Sequence, residues 1–294
     1  MQTSEAIKRQ LGTAEDLRSI VRTMKALAAV SIRQYEEALV SLDEYARSVD
    51  LGLRALLRGR PEALRAIPRE LARRPGAIVL GSDQGLCGAF NEHIATFYLE
   101  SRAARPPELG HGPLLAVGLR VASRLEDGGV APAVVLTLPV SAALVARLVQ
   151  DLLARIDDWR AAGAVDGVTL YFNRPRPEST YRPHEEALLP LDVAELRAMV
   201  AAPWRRRALP TFASDWDVLF STVVRQRLFV MLHRAVVASL AAENASRLAA
   251  MHAAQRNIEE RLDALHSQFH FQRQTSITTE LLDILSGYEV LTRR

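Results

Sequence analysis

The sequence predicts a mixed fold, α+β in layout with an α/β centre. A long antiparallel coiled coil of N- and C-terminal helices joins a Rossmann-like α/β domain with a mostly parallel sheet. Three observations predict it. Residues 211–286 contain neither glycine nor proline and are rich in Ala, Leu, Arg, Glu and Gln, which are strong helix formers. Residues 3–57 read as another long helix, with Gly12 its one weak point before Gly52. Between the two, short apolar runs alternate with helical patterns, the signature of βαβ units. A helix over 211–286 would be about 110 Å long, whereas residues 75–190 make a body about 36 Å across. A helix that outruns its body in this way must protrude, and a partner has to cover its apolar side.

Each element follows from local pattern. In the N-terminal helix, assigned to 1–58, apolar residues fall at Leu17, Ile20, Met24 and Leu27 and resume at Tyr35, Leu39, Leu42 and Val49. These three- and four-residue steps form a coiled-coil stripe. Gly59, Pro61 and Pro68 end it. The α/β domain, assigned to 75–190, has strand patterns at 77–80, 114–117, 133–138 and 165–172. Helical patterns cover 86–101, the stretch up to 126, and 141–159, where Ser141 is placed to cap. Residues 181–189 suggest an edge strand and 193–200 a short helix. The C-terminal helix, assigned to 211–288 and expected to pack on 1–58, carries Leu248, Met251, Ile258, Leu262, Leu265 and Phe269 on one stripe. Ile277, Leu281 and Ile284 continue it after a phase shift. Spacing near 3.5 predicts a left-handed supercoil. Because the N-terminal helix is shorter, residues 278–294 are expected to extend past their partner as an apolar tip, an interaction surface in its own right.

Composition narrows the function. The chain has 294 residues, 49% hydrophobic and 24% charged, as expected of one or two folded domains. A net charge of +3 gives no reason to expect nucleic acid. Lys8 and Lys25 are the only lysines, and the arginines are scattered along the chain, which reads as compositional bias. The single cysteine, Cys87, excludes an internal disulfide and suits a reducing compartment. No apolar run reaches the roughly 20 residues that span a bilayer. Residues 1–10 lack the apolar core of a secretory signal, and Glu5, Glu15 and Asp16 are out of keeping with a transit peptide. The expectation is a cytosolic protein that meets a membrane only through a partner.

The local motifs argue against chemistry. Residues 81–88, Gly-Ser-Asp-Gln-Gly-Leu-Cys-Gly, follow a strand and open a helix, where α/β folds bind phosphates. Their glycine spacing fits neither the dinucleotide fingerprint nor a P-loop, so the turn reads as a tight strand-to-helix connection, with nucleotide binding as the alternative. Cys87 is placed in the first turn of that helix, where the dipole lowers a thiol pKa, yet His93 lies on another face. His266 and His270 have a metal-ligand spacing without a third ligand. The adjacent pairs Asp157-Asp158, Glu185-Glu186 and Glu259-Glu260 diverge on a helix and read as surface. No catalytic residue, cofactor, metal or small-molecule ligand is assigned. Arg273, Gln274, Thr278 and Glu280 form a polar patch beside the tip, suited to charge-assisted hydrogen bonds with a partner. Lys8, Arg9, Arg18, Arg22, Lys25 and Arg33 give the first helix a basic character that suits an acidic partner surface.

At these same residues the chain resembles the gamma subunit of F-type ATP synthases. Residues 273–281, Arg-Gln-Thr-Ser-Ile-Thr-Thr-Glu-Leu, with Ser286-Gly287, are similar to that family's C-terminal signature. Residues 243–254 resemble its preceding helix, residues 82–88 its central turn and residues 23–29 its N-terminal helix. His252 stands where the family has lysine, and residues 105–210 match only in their βα pattern. The resemblance implies a central-stalk rotor subunit, itself no enzyme. Its coil would sit in a hexamer of alpha and beta subunits, and its foot would meet an epsilon subunit and the membrane c-ring. It would couple proton or sodium-ion translocation to ATP synthesis or hydrolysis. The implied location is peripheral, on the cytoplasmic face of a bacterial inner membrane. Met24, Lys25, Arg273, Gln274, Thr278, Glu280, Leu281 and Leu285 are the implied partner contacts. A static coiled-coil scaffold and an α/β nucleotide-binding enzyme are the competing readings.

Overall fold

The computed structural model describes residues 4–66, 72–106, 108–139, 141–176, 179–204 and 210–292. The elements run α1 (Ser4–Gly59), α2 (Ala63–Ala66), β1 (Pro75–Leu80), α3 (Phe90–Ala103), β2 (Leu114–Val117), α4 (Leu119–Asp127) and β3 (Val134–Leu136). A 3₁₀ turn (Ala142–Leu144) leads into α5 (Val145–Ala161), then β4 (Gly167–Arg176), β5 (Ser179–Leu189), α6 (Val193–Ala201) and α7 (Trp216–Thr292). Helices α1 and α7 are unbroken over 56 and 77 residues. By contacts the chain forms two units, residues 1–28 with 247–294, and residues 29–246.

The larger unit is built on a five-stranded sheet in the order β3-β2-β1-β4-β5. The first four strands are parallel, and β5 joins β4 antiparallel at the edge. The mixed fold with a mostly parallel sheet is therefore as the sequence predicts. One face is covered by α3 and α4 through Ile94, Tyr98, Val121 and Leu125. The other packs on α5 through Val149, Leu152 and Ile156, together with Leu228, Leu232 and Val236 of α7 and Tyr35 of α1. This corrects the expectation that the apolar side of the long helix is covered elsewhere than on the α/β body, since its first part packs there. Residues 235–244 of α7 are buried on every side, the mark of a core helix rather than an amphipathic one. An 18-residue window of α7 is even apolar enough by composition to cross a bilayer, contrary to the sequence reading, and 72% of it lies buried in the fold.

Capping explains where the helices begin. Asp215 Oδ1 accepts from the N–H groups of Asp217 and Val218 at 2.9 and 3.2 Å, starting α7. Asp192 Oδ1 does the same for α6. Ser141 does not cap as expected: its side chain makes no cap bond, and the 3₁₀ turn intervenes before α5.

Within this unit α1 and α7 run antiparallel, tied by Asp43 to Arg234 at 2.9 Å and by Asp50 to Arg227 at 3.3 Å. Arg227 is buried and also donates to Glu195 Oε1 at 2.5 Å. Burial alone would disfavour its charge, but the two carboxylates outweigh burial and raise its pKa. His233 on α7 has no such partner. Burial pushes its pKa down, and its Nδ1 is buried without a hydrogen bond. The unfolded chain therefore binds a proton that the folded chain refuses, so stability is lost as pH falls through the unfolded value near 6.5. We expect His233→Phe to flatten the acid limb of a melting-temperature profile between about pH 7 and 5. An unchanged limb would remove His233 from that role.

In the smaller unit α1 and α7 again run antiparallel. Ile7, Leu11 and Ala14 pack with Leu262 and Leu265, flanked by Ile258 and Phe269. The α7 stripe is the one the sequence predicts. The α1 stripe is borne out only in its second half, where Tyr35, Leu39 and Leu42 pack in the core of the larger unit. Leu17, Ile20 and Leu27 are 48%, 54% and 66% exposed. The buried seam is Ile7, Leu11, Ala14, Val21 and Ala28, and it continues in the larger unit at Tyr35. Positions 7, 14, 21, 28 and 35 are successive heptad repeats. The alternate seam positions after Leu11 are Arg18 and Lys25, both half-buried. Lys25 Nζ donates to Gln255 Oε1 at 2.6 Å, and Gln255 Nε2 donates to Glu259 at 2.7 Å.

Candidate interaction surface

Helix α7 continues beyond the last side chain that packs on α1. From Phe271 to Leu285 its described side chains are exposed, except the half-buried Gln272. Phe271 is 74% and Ile284 71% exposed. Gln274, Thr278, Leu281 and Leu285 follow one another at helical spacing, and Arg273, Ile277, Glu280 and Ile284 form the adjoining row. All six assigned α7 residues thus share one broad face. The Thr278 hydroxyl donates to its own helix at Gln274 O, 2.9 Å away, and Thr275 and Thr279 do likewise. Their oxygens stay available as acceptors. Arg273, Gln274 and Glu280 point to solvent. Met24 and Lys25 are half-buried on α1 and not part of this face. Lys25 is already engaged by Gln255, so its assigned contact would have to be shared with the coil.

The surface mixes the apolar side chains Ile277, Leu281, Ile284 and Leu285 with polar ones, and sets a cation, Arg273, two helical turns from an anion, Glu280. Groups of three or more potential metal ligands do not occur among the described residues. His266 and His270 are exposed on α7.

The turn at 81–88 is occupied by its own contacts. Ser82 N–H donates to Asn91 Oδ1 at 2.9 Å, and Asn91 Nδ2 returns a bond to Ser82 Oγ at 2.8 Å. The Asp83 carboxylate accepts from Leu119 N–H at 2.9 Å and from Leu138 N–H at 2.7 Å. It thus caps the N-terminus of α4 and ties the turn to the segment after β3. Gly88 has φ +60° and Leu86 φ 63°, both left-handed. A Cβ on Gly81 would lie 2.3 Å from that of Val121. These glycines serve backbone freedom and close packing. Cys87 is 1% exposed and precedes α3 rather than lying in its first turn. Its carbonyl accepts from Ser246 Oγ at 2.6 Å, which anchors the turn to α7. His93 pairs instead with the Tyr181 hydroxyl at 3.0 Å.

Sequence reasoning missed two features. One is the true α1 seam, marked by the seven-residue repeat from Ile7. The other is the run at 235–242, apolar but for Ser239, which signals a core helix.

Comparison with known proteins places this geometry. A family model described as ATP synthase matches residues 3–291. The chain is 26% identical to the ATP synthase gamma chain of Zymomonas mobilis, over 99% of this chain and all of that one. It is 28% identical to the gamma chain of Granulibacter bethesdensis with the same coverage. Among solved structures, the rotor of the Euglena gracilis mitochondrial ATP synthase, in rotational state 1, superposes with TM-score 0.65 at 14% identity, over 93% of this chain and 98% of that one. The central stalk and c-ring structure from Tetrahymena thermophila contains a chain with TM-score 0.57 at 22% identity, covering 80% and 99%. The long paired helices, the parallel sheet and the full-length match agree, and the chain belongs to the ATP synthase family, among relatives that are gamma chains.

Proposed function

We propose that this chain is the central-stalk rotor subunit of an F-type ATP synthase. It couples proton or sodium-ion translocation through a membrane ring to ATP synthesis and hydrolysis in a catalytic hexamer of alpha and beta subunits. It performs no bond chemistry. It lies peripherally on the cytoplasmic face of a bacterial inner membrane, held there by an epsilon subunit and the c-ring. The observation that carries this reading is the α7 face from Phe271 to Leu285, helical, uncovered among the described residues and set with exposed Phe271, Ile277, Leu281, Ile284 and Leu285. Full-length similarity to gamma chains supports it.

The physical account is one of differential contact. The coil presents different side chains around its circumference, so rotation changes which group faces a given neighbour. A rotor position can shift a nucleotide site only by the difference in its interaction energy with that site's open and closed forms. Met24, Lys25, Arg273, Gln274, Thr278, Glu280, Leu281 and Leu285 are the residues we assign to those contacts. Affinity purification of the tagged chain from its own membranes tests the reading. We expect alpha and beta subunits at about three each per chain, with ATPase activity. Recovery of the chain with other helical proteins and no ATPase subunits would favour a static scaffold. Binding of ATP or NAD to the chain alone, by titration calorimetry, would favour an α/β enzyme.

A further inference from the structure

The end of the β4–β5 hairpin carries an arrangement that folding does not require. Arg174 and Arg182 are direct cross-strand partners. Side chains so placed lie about 5 Å apart at Cβ, and like charges there are destabilising. Arg176, two residues along β4, adds a third charge. All three are exposed, and no carboxylate of the described residues lies within ion-pair distance of them. Glu185, further along β5, is engaged by the Ser101 hydroxyl at 3.0 Å. His184 packs edge-on against Phe172.

The strands beneath these arginines are tied to α3. Asn173 Nδ2 donates to Phe90 O at 3.0 Å, and Tyr181 packs on Phe90 with centroids 5.2 Å apart and bonds to His93. The arginines stand at the carboxyl end of β4, the end of the sheet that also carries the 81–88 turn.

We propose that Arg174 and Arg182, extended by Arg176, dock an acidic helix of a partner protein. Carboxylates one turn apart on a helix are about 5–6 Å from each other, which matches the cross-strand spacing. Guanidinium groups recognise carboxylates in a planar, bidentate way. Pro175 and Pro183 remove ladder N–H groups from the hairpin, which disfavours recognition by an added strand. Large exposed apolar side chains do not occur on β4 or β5 among the described residues, so the hairpin end lacks the anchors of a membrane-inserting element.

This inference deepens the stalk reading and rests on it, so the test separates the two. Arg174→Lys and Arg182→Lys keep the charge and supply an amine. The purified complex carrying either variant is treated with a water-soluble carbodiimide, which joins an amine to a carboxylate in contact with it. We expect an amide link from residue 174 or 182 to an Asp or Glu of another subunit, absent from the Arg174→Gln/Arg182→Gln double variant. That double variant should melt no lower than the parent chain, because it relieves repulsion, yet be released from the complex at a several-fold lower salt concentration. If the lysine variants co-purify with alpha and beta subunits but link only within the chain or not at all, this inference is overturned and the stalk reading stands. Arginine-dependent binding to phosphatidylglycerol vesicles without an inter-subunit link would overturn it in favour of a lipid surface. If no ATPase subunits co-purify, the stalk reading itself fails.

Discussion

Replacing Leu265 by alanine is expected to open the smaller unit, whereas replacing Leu27 by alanine leaves it closed. Leu265 is 1% exposed and lies among Ile7, Leu11, Ala14 and Leu262. Truncating a buried leucine to alanine costs about 2–5 kcal/mol, depending on how well the site collapses. A two-helix unit has few other contacts over which to spread that loss. Leu27 is 66% exposed, and surface substitutions outside special sites fall within about 0.5 kcal/mol. Alanine is also the better helix former at that position. Hydrogen exchange of residues 7–28 and 247–269 measures both. Opening should become easier by a factor of roughly 30 or more for Leu265→Ala, with the amides of β1, β2 and β4 unaffected. Equal effects of the two substitutions would mean that the seam is placed wrongly.

That comparison also marks how far the sequence could be read. Strands β1 and β2 were legible because 77–80 and 114–117 are short apolar runs bounded by Gly and Pro. The α7 seam was legible because Leu248, Met251, Ile258, Leu262, Leu265 and Phe269 are large and recur at steps of three, four and seven. On α1 two periodic patterns compete. The stripe Leu17, Ile20, Met24, Leu27 is bulkier, while the true seam holds Ala14, Arg18, Lys25 and Ala28. Hydrophobicity therefore favours the wrong face. What decides is the partner: small residues on α1 meet Leu262 and Leu265, and Lys25 is tolerated in the seam because Gln255 accepts from it. A polar residue of this kind fixes register at some cost in stability. The insertion of α7 residues 228–242 into the α/β core was hidden for a similar reason. Only the sheet, assembled from distant strands, shows that its second face needs more cover than α5 supplies. The face carrying Arg273 to Leu285 was legible by contrast, because exposed apolar residues at helical spacing are anomalous wherever they stand.

Deleting the chain after Thr279 is expected to leave the larger unit folded and to weaken the complex severely. The deletion removes Glu280 and the exposed side chains Leu281, Leu282, Ile284 and Leu285, which are between 54% and 71% exposed. None of them contributes to the described apolar clusters of either unit. If a partner covers these four side chains, each adds on the order of 1 kcal/mol, since about half of each side chain remains to be buried and full burial is worth about 1.5–3 kcal/mol. Their joint loss, about 4 kcal/mol, corresponds to roughly a thousandfold in affinity. If the proposed stalk function holds, contacts elsewhere keep part of the assembly together, and the rate of ATP-driven ion pumping is the sharper readout, with a fall of tenfold or more expected. Hydrogen exchange across β1, β2 and β4 serves as the folding control and should match the intact chain. Full pumping by the truncated subunit would show that torque passes through the coil below this face. Loss of protection in the sheet would show that the two units are not independent, and the division of labour between a folded base and an exposed contact surface would fall with it.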